Sequence, residues 1–332
     1  MDQLTYDDIK AATDRTTGHI RPVTVAPGAP GERPEQPYEL WYALEYMQYT
    51  GSFKARGAQN FIQAHREAGT LPDAGVTIAS GGNAGLACAW AAQQQGVRAT
   101  VFLPSVAPAV KVAKLRGFGA DVRLVGAEYA EALEACEEFA ASSGALAAHA
   151  YDHPLIAAGA GTLLEEIHAR IPGLDTVVVS VGGGGLFAGV ATAARQHGIR
   201  TVAVEPENSR ALNAAMEAGR PVDVPVDSVA VDALGARRAT ALALHATREN
   251  DVRSVLVPDG EIVRARQALW DQRRIAVEHA AATALAALTA PDLPDGPTAP
   301  GGSYRPGEGE RVAVVLCGAN TDPGDLVHPA EN

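Results

Sequence analysis

The pattern of the chain predicts an α/β fold with parallel-rich open sheets, on three observations. Short apolar runs, VTIA, RATVFL, TVVVSV, RTVAVE and RVAVVL, alternate with helical stretches of about ten residues or more. Such alternation marks βαβ crossovers, hence parallel strands covered on both faces. Two of these runs lead straight into glycine-rich turns that open a helix, at residues 80–83 and 182–185. With 332 residues, the chain can build two cores, or one large α/β domain with an insertion.

In order along the chain, residues 6–15 read as a first helix. A Pro/Gly-rich stretch, 22–37, reads as an extended connection, and 39–46 as a short strand. Thr50 and Ser52 are capable caps for a helix over residues 53–68. Strands then follow at 76–79, 98–103, 121–125 and 145–148, separated by helices at 84–95, 108–116 and 128–142. After Tyr151-Asp152-His153-Pro154 come a helix at 155–170, a strand at 176–181, a helix at 186–197, a strand at 200–205 and a helix at 210–218. The segment 224–242 reads as loop with a strand-like piece, and 259–272 as a helix. A strand-like 274–277 leads into an alanine-rich helix, 280–290. Residues 291–310 read as a surface loop by composition, and 311–316 as the last strand. No internal repeat is visible.

Hydrophobic residues make up 47% of the chain and aromatics 5%, so the core must be filled by many small side chains on closely packed elements. The net charge of −12 argues against a nucleic-acid or anionic-membrane partner and for a small molecule. No apolar run approaches the roughly 20 residues of a spanning helix. The opening MDQLTYDDIKAATDRT is acidic and lacks the apolar core of a leader peptide. Cys88, Cys136 and Cys317 are odd in number and far apart, which fits neither a disulfide framework nor a zinc site and implies a reducing cytoplasm.

Chemistry is expected at four places. In YTGSFKARGA, Lys54 enters the first turn of a helix, where the partial positive charge disfavours an ammonium and makes the neutral amine needed for Schiff-base chemistry more accessible. Gly182-Gly183-Gly184-Gly185 lies between a buried strand and a helix, where successive N–H groups can cradle a phosphate. It is not a P-loop, since no Gly-Lys-Ser/Thr follows, and it lacks the dinucleotide glycine spacing. Ser80-Gly81-Gly82-Asn83 repeats the arrangement: Asn83 could donate to a ring oxygen, or simply cap its own helix. Cys317 ends an apolar strand, where open α/β sheets bind ligands, though a small core residue would look the same.

These segments together resemble the pyridoxal-phosphate-dependent serine/threonine dehydratase family, of the tryptophan synthase β-like, fold type II group. GSFKARGA, SGGNAG, SVGGGGLFAG and LCGANTD carry the likeness, with AYDHPLIAAGAGTLLEEI and RRIAVEHAAATALAAL beside them. The resemblance implies pyridoxal 5'-phosphate between two three-layer αβα domains: a large one from residues 1–73 and 150–332, and a small inserted one from 74–149. It implies Lys54 as the Schiff-base lysine, Phe53 against the ring, Asn83 on the ring hydroxyl, Gly182 to Gly185 on the phosphate and Cys317 facing the pyridine nitrogen. Ser80, Gly81, Gly82 and Ala84 would meet the substrate. The implied reaction is β-elimination from L-threonine or L-serine to a 2-oxo acid and ammonia, in a cytoplasmic homodimer.

Three departures bear on specificity. Ala84 stands where many dehydratases have His, Ala160 where Gln is usual, and His279-Ala280-Ala281-Ala282 follows Val277-Glu278 where the family commonly shows Pro and a Gly-Ala pair. Glu278 and His279 are thus further candidates near the cofactor. Related racemases carry a serine at the position of Gly81, and a metal site on Glu205, the Ser209 carbonyl and a carboxylate where this chain has Ala211. The resemblance therefore implies elimination without racemisation and no metal. The rival readings are a dehydratase of another β-hydroxy amino acid such as 3-hydroxyaspartate, a β-replacement synthase, and a non-catalytic protein holding a nucleotide at the tetraglycine.

Overall fold

The computed structural model describes residues 3–28, 38–290 and 304–327. Its ten strands are β1 (Val25–Pro27), β2 (Glu39–Ala43), β3 (Val76–Ala79), β4 (Ala99–Leu103), β5 (Asp121–Leu124), β6 (Leu146–Ala147), β7 (Thr176–Ser180), β8 (Arg200–Pro206), β9 (Val252–Val257) and β10 (Arg311–Val315). They form two sheets, a six-stranded one in the order β1-β2-β10-β7-β8-β9 and a four-stranded one in the order β5-β4-β3-β6. Every pairing is parallel except β1 with β2. All five residues of β7 are buried, which for alternating side chains means that both faces are covered. Helices His279–Thr289 and Gly185–Gln196 both pack on β7 and β8.

The core is built from small residues, as the scarcity of aromatics requires. Helices Lys54–Glu67, Pro154–Arg170 and Gly185–Gln196 approach almost backbone to backbone: a Cβ on Gly159 would lie 2.6 Å from the Arg56 carbonyl, and one on Gly161 2.8 Å from that of Gly189. One large side chain threads this packing. Arg56, fully buried, donates to both carboxylate oxygens of buried Glu45 at 2.6 and 2.9 Å, to Glu166 at 2.7 Å and to Thr162 at 3.1 Å. Every polar atom is answered, the condition under which a charge tolerates burial. The network lies two residues from Lys54, in the first turn of the same helix.

Several elements differ from the expectation. Neither Thr50 nor Ser52 caps the lysine helix: Ser52 is extended and bridges Gly318, Thr50 has φ 65°, and both hydroxyls are buried without a partner. The helix starts from Phe53, whose N–H donates to the Cys317 carbonyl at 3.0 Å. Strand β1 falls inside the expected extended connection, of which residues 29–37 lie outside the described residues. Strand β9 and the helices Val231–Leu234 and Ala241–Glu249 are elements the sequence reading does not place. Residues 274–277 form no strand; Arg274 is left-handed at φ 58°, ending the helix Asp259–Arg273. Of the expected loop at 291–310, residues 291–303 lie outside the described residues.

Candidate active site

The carboxyl ends of β3, β7 and β10 meet the start of the lysine helix, and the four chemistry-bearing segments gather there. Lys54 Nζ donates to the Ala150 carbonyl at 2.7 Å and lies 4.9 Å from the centre of the Phe53 ring and 6.0 Å from that of Tyr151. Its pKa is lowered to about 8. The largest cause is loss of hydration on burial; Cys317 and Glu278 pull the other way. The direction is the one expected from the helix terminus, but burial is the leading cause.

The tetraglycine turn is shaped by its neighbours and left open on its donor side. A Cβ on Gly182 would meet Leu234 at 3.1 Å, and one on Gly185 the Tyr151 carbonyl at 2.8 Å. On Gly183 it would overlap the Tyr151 ring, and on Gly184, at φ 98°, the Ala243 methyl. The Gly183 carbonyl accepts from Thr240 N at 3.0 Å. Among the described residues no acceptor takes the N–H of Gly182, Gly183, Gly184 or Gly185. Four donors without a protein acceptor, three of them on buried glycines, form a site that a phosphate would satisfy.

Asn83 opens the helix Asn83–Gln94 and reaches across to the other sheet. Its Nδ2 donates to both oxygens of Glu278 at 3.0 Å, and its Oδ1 accepts from Asn320 Nδ2 at 2.8 Å. Asn320 N donates to Glu278 at 2.8 Å, and its Nδ2 also to the Thr50 carbonyl at 2.6 Å. Glu278 has its pKa raised, by burial first, and a Cβ on Gly318 would crowd its carboxylate at 2.9 Å. Glu278, Asn83 and Asn320 thus tie the Asn loop to the turn after β10. In that turn Cys317 is buried, its Sγ 3.6 Å from Ser180 Oγ, and burial pushes its pKa up to about 12. It is a neutral thiol at working pH.

Ser80, Gly81 and Gly82 form the turn after β3, with the Gly82 N–H 3.4 Å from Ser80 Oγ. Ala84 lines a cavity beside Lys54. His279 opens the alanine-rich helix, and among the described residues its ring makes no hydrogen bond to the other site residues; the charges that act on it are those of Arg266, Asp325, Asp259 and Asp232. Glu205 serves as a helix cap, one carboxylate oxygen on Leu212 N at 2.7 Å and the other on Asn213 N at 2.8 Å. Among the described residues no group of three His, Cys, Asp or Glu is placed to hold a metal. Sequence reasoning missed Tyr151, His149, Asn320 and Arg56. Tyr151 and His149 could have been sought in the AYDHP segment, and Asn320 in LCGAN.

The family model described as pyridoxal-phosphate dependent enzyme matches residues 22–318. A serine dehydratase-like protein of Rattus norvegicus is 37% identical over 287 residues, covering 85% of this chain and 85% of that protein. An L-threonine ammonia-lyase of Geobacter sulfurreducens is 36% identical over 253 residues, covering 75% of this chain and 62% of that protein. Among solved structures, maize serine racemase matches with a TM-score of 0.87 at 27% identity, covering 98% of this chain and 97% of that one. A half-buried amine of lowered pKa and four N–H donors without a protein acceptor are what an aldehyde-bearing phosphate ester requires, and likeness of sequence and of fold agree with it. The chain belongs to the pyridoxal-phosphate-dependent enzymes, in their serine/threonine dehydratase-like group with the tryptophan synthase β-like fold, and pyridoxal 5'-phosphate is its cofactor.

Proposed function

We propose that this chain removes the elements of water from L-threonine or L-serine, yielding a 2-oxo acid and ammonia. The observation that carries the reading is the pairing of the Lys54 amine with the neutral Cys317 thiol across one cleft. When bound, pyridoxal phosphate supplies a sink for the electron pair left at Cα. A thiol that stays protonated does not hold the pyridine nitrogen charged as a carboxylate would, so the sink is moderate, which suits a step in which the β-hydroxyl leaves as the proton is lost.

In this reading Lys54 Nζ takes the Cα proton. The N–H groups of Gly182 to Gly185 hold the phosphate, and the turn from Ser80 to Asn83 faces the substrate carboxylate. Phe53 flanks the amine, and Glu278 holds the Asn83 amide in one orientation. The hydroxyl lost from Cβ and the proton lost from Cα leave as water; the enamine released is hydrolysed to the 2-oxo acid and ammonia. We further propose residues 74–149 as a small domain inserted into a large one of 1–73 and 150–332, with the site between them, and a cytoplasmic homodimer as the working form.

Likeness to a racemase fold favours a second reading, epimerisation at Cα. It requires a second base opposite Lys54. Gly81 has no side chain to serve, and Ser80 Oγ is turned to its own loop. Incubation of the purified protein with L-serine in EDTA should give pyruvate and no D-serine. D-Serine forming as fast as pyruvate would overturn the elimination reading, and activity that returns only with Mg²⁺ or Ca²⁺ would overturn the expectation that no metal is needed. Assays with 3-hydroxyaspartate, and with O-acetylserine plus sulfide, separate the other dehydratase and the β-replacement synthase.

A further inference from the structure

Beside Lys54 lies a cavity of about 20 Å³. Its wall includes Ala58, Phe61 and Ile62 from the lysine helix, Ile78 from β3, Ala84 and Ala87 from the helix after the Asn loop, Ile156, and the segment 148–150. Space of this size admits one water-sized group. The wall is short of polar partners for a water. The Cys88 thiol is buried and held near 12. His149 Nδ1 accepts from Tyr151 N at 3.2 Å and Asp152 N at 2.8 Å, so the ring keeps its proton on Nε2 and stays uncharged, with its pKa lowered by burial first.

We propose that this cavity receives the β-substituent of the substrate, and that it selects a β-methyl over β-hydrogen and rejects a β-carboxylate or a ring. The inference rests on the reading above that the Lys54 cleft takes an amino acid. A methyl group fills the space and loses its hydration against alkyl walls. Serine leaves the space empty. A carboxylate finds no cation there except Lys54, whose amine is committed to the Cα proton, and would lose its hydration uncompensated. A phenyl ring is too large for about 20 Å³. Three alanines carry the selection, Ala58, Ala84 and Ala87, because any longer side chain at these positions would occupy the cavity.

Calorimetric binding to the holoenzyme isolates this preference from catalysis, using amino acids that lack a hydroxyl to eliminate. L-2-Aminobutyrate should bind about tenfold more tightly than L-alanine, within the 10- to 200-fold range for one methylene in an apolar pocket, and L-aspartate more weakly than L-alanine. Ala87→Val, which puts two methyl groups into the space, should bring the first ratio to unity. Ile78→Val, which removes one, should improve binding of L-norvaline relative to L-2-aminobutyrate. In turnover, kcat/KM for L-threonine should exceed that for L-serine by about the same factor. Equal binding of L-alanine and L-2-aminobutyrate to the parent, or a ratio unmoved by both variants, overturns the inference. The binding preference without 2-oxo acid from either hydroxy amino acid supports the cavity and overturns elimination.

Discussion

Two glycine turns flank Lys54, and they differ in what makes glycine necessary. Ser80-Gly81-Gly82-Asn83 and Gly182 to Gly185 each follow a buried parallel strand and each open a helix. At the tetraglycine every Cβ would meet another part of the same chain: Leu234, the Tyr151 ring, Ala243, or the Tyr151 carbonyl. At the Asn loop a Cβ on Gly82 would meet nothing within 4 Å, and one on Gly81 only the end of the Leu103 side chain, at 2.8 Å. The tetraglycine is glycine because the fold leaves no room; Gly82 has room, and nothing in the chain itself excludes a side chain there.

Four measurements test the lysine and the two turns beside it. Lys54→Ala should lower kcat by at least about a thousandfold with an unchanged far-ultraviolet spectrum and melting temperature, since the side chain's one polar contact is to a carbonyl. Full turnover in that variant would mean the wrong lysine has been assigned between the turns. Gly183→Asp should weaken retention of pyridoxal phosphate about a hundredfold, about 2.7 kcal/mol, because it sets a carboxylate beside the phosphate and forces the Tyr151 ring aside. Cofactor kept through dialysis as well as in the parent would place the phosphate elsewhere.

The third measurement follows the lysine's titration. With a pKa lowered to about 8, the ammonium dominates below that value and the nucleophilic amine above it. Capture of pyridoxal phosphate by the apo-protein, read as the growth of visible absorbance, should therefore accelerate about tenfold from pH 7 to pH 9. A rate still rising steeply at pH 10 would show an unperturbed lysine. The smallest effect is expected from Gly82→Ala: its φ of −97° suits alanine and the space is open, so stability should change by no more than about 0.5 kcal/mol, while KM for the amino acid rises. A melting temperature that falls as far as that of Gly184→Ala, where φ is 98° and the Ala243 methyl is in the way, would erase the distinction between the turns.

How far the sequence could be read follows from whether a signal is local. Strands β3, β4, β7 and β10 were legible because a strand buried on both faces reads as an unbroken apolar run. Strand β9, VRSVLV, is interrupted by Arg253 and Ser254, and its pairing with β8 supplied what its pattern lacked. Residues 274–277 looked like a strand by composition, but Arg274 is left-handed and ends the preceding helix, and among the described residues none of the four pairs in a sheet.

The sequence shows what a short segment offers by itself: an amine among small residues at a helix start, glycines between strand and helix, a cysteine at a strand end. Relations between segments come from packing. Asn83 meets Glu278 and Asn320 across 195 and 237 residues of chain, Tyr151 lies over Gly183, and the cavity at Ala84 needs walls from the lysine helix, β3 and the loop at Ala148. Burial sets the Lys54 and Cys317 pKa values, and burial belongs to the assembled chain. A segment states which groups it can offer; packing removes water from them and thereby decides which are charged and which are left without a partner.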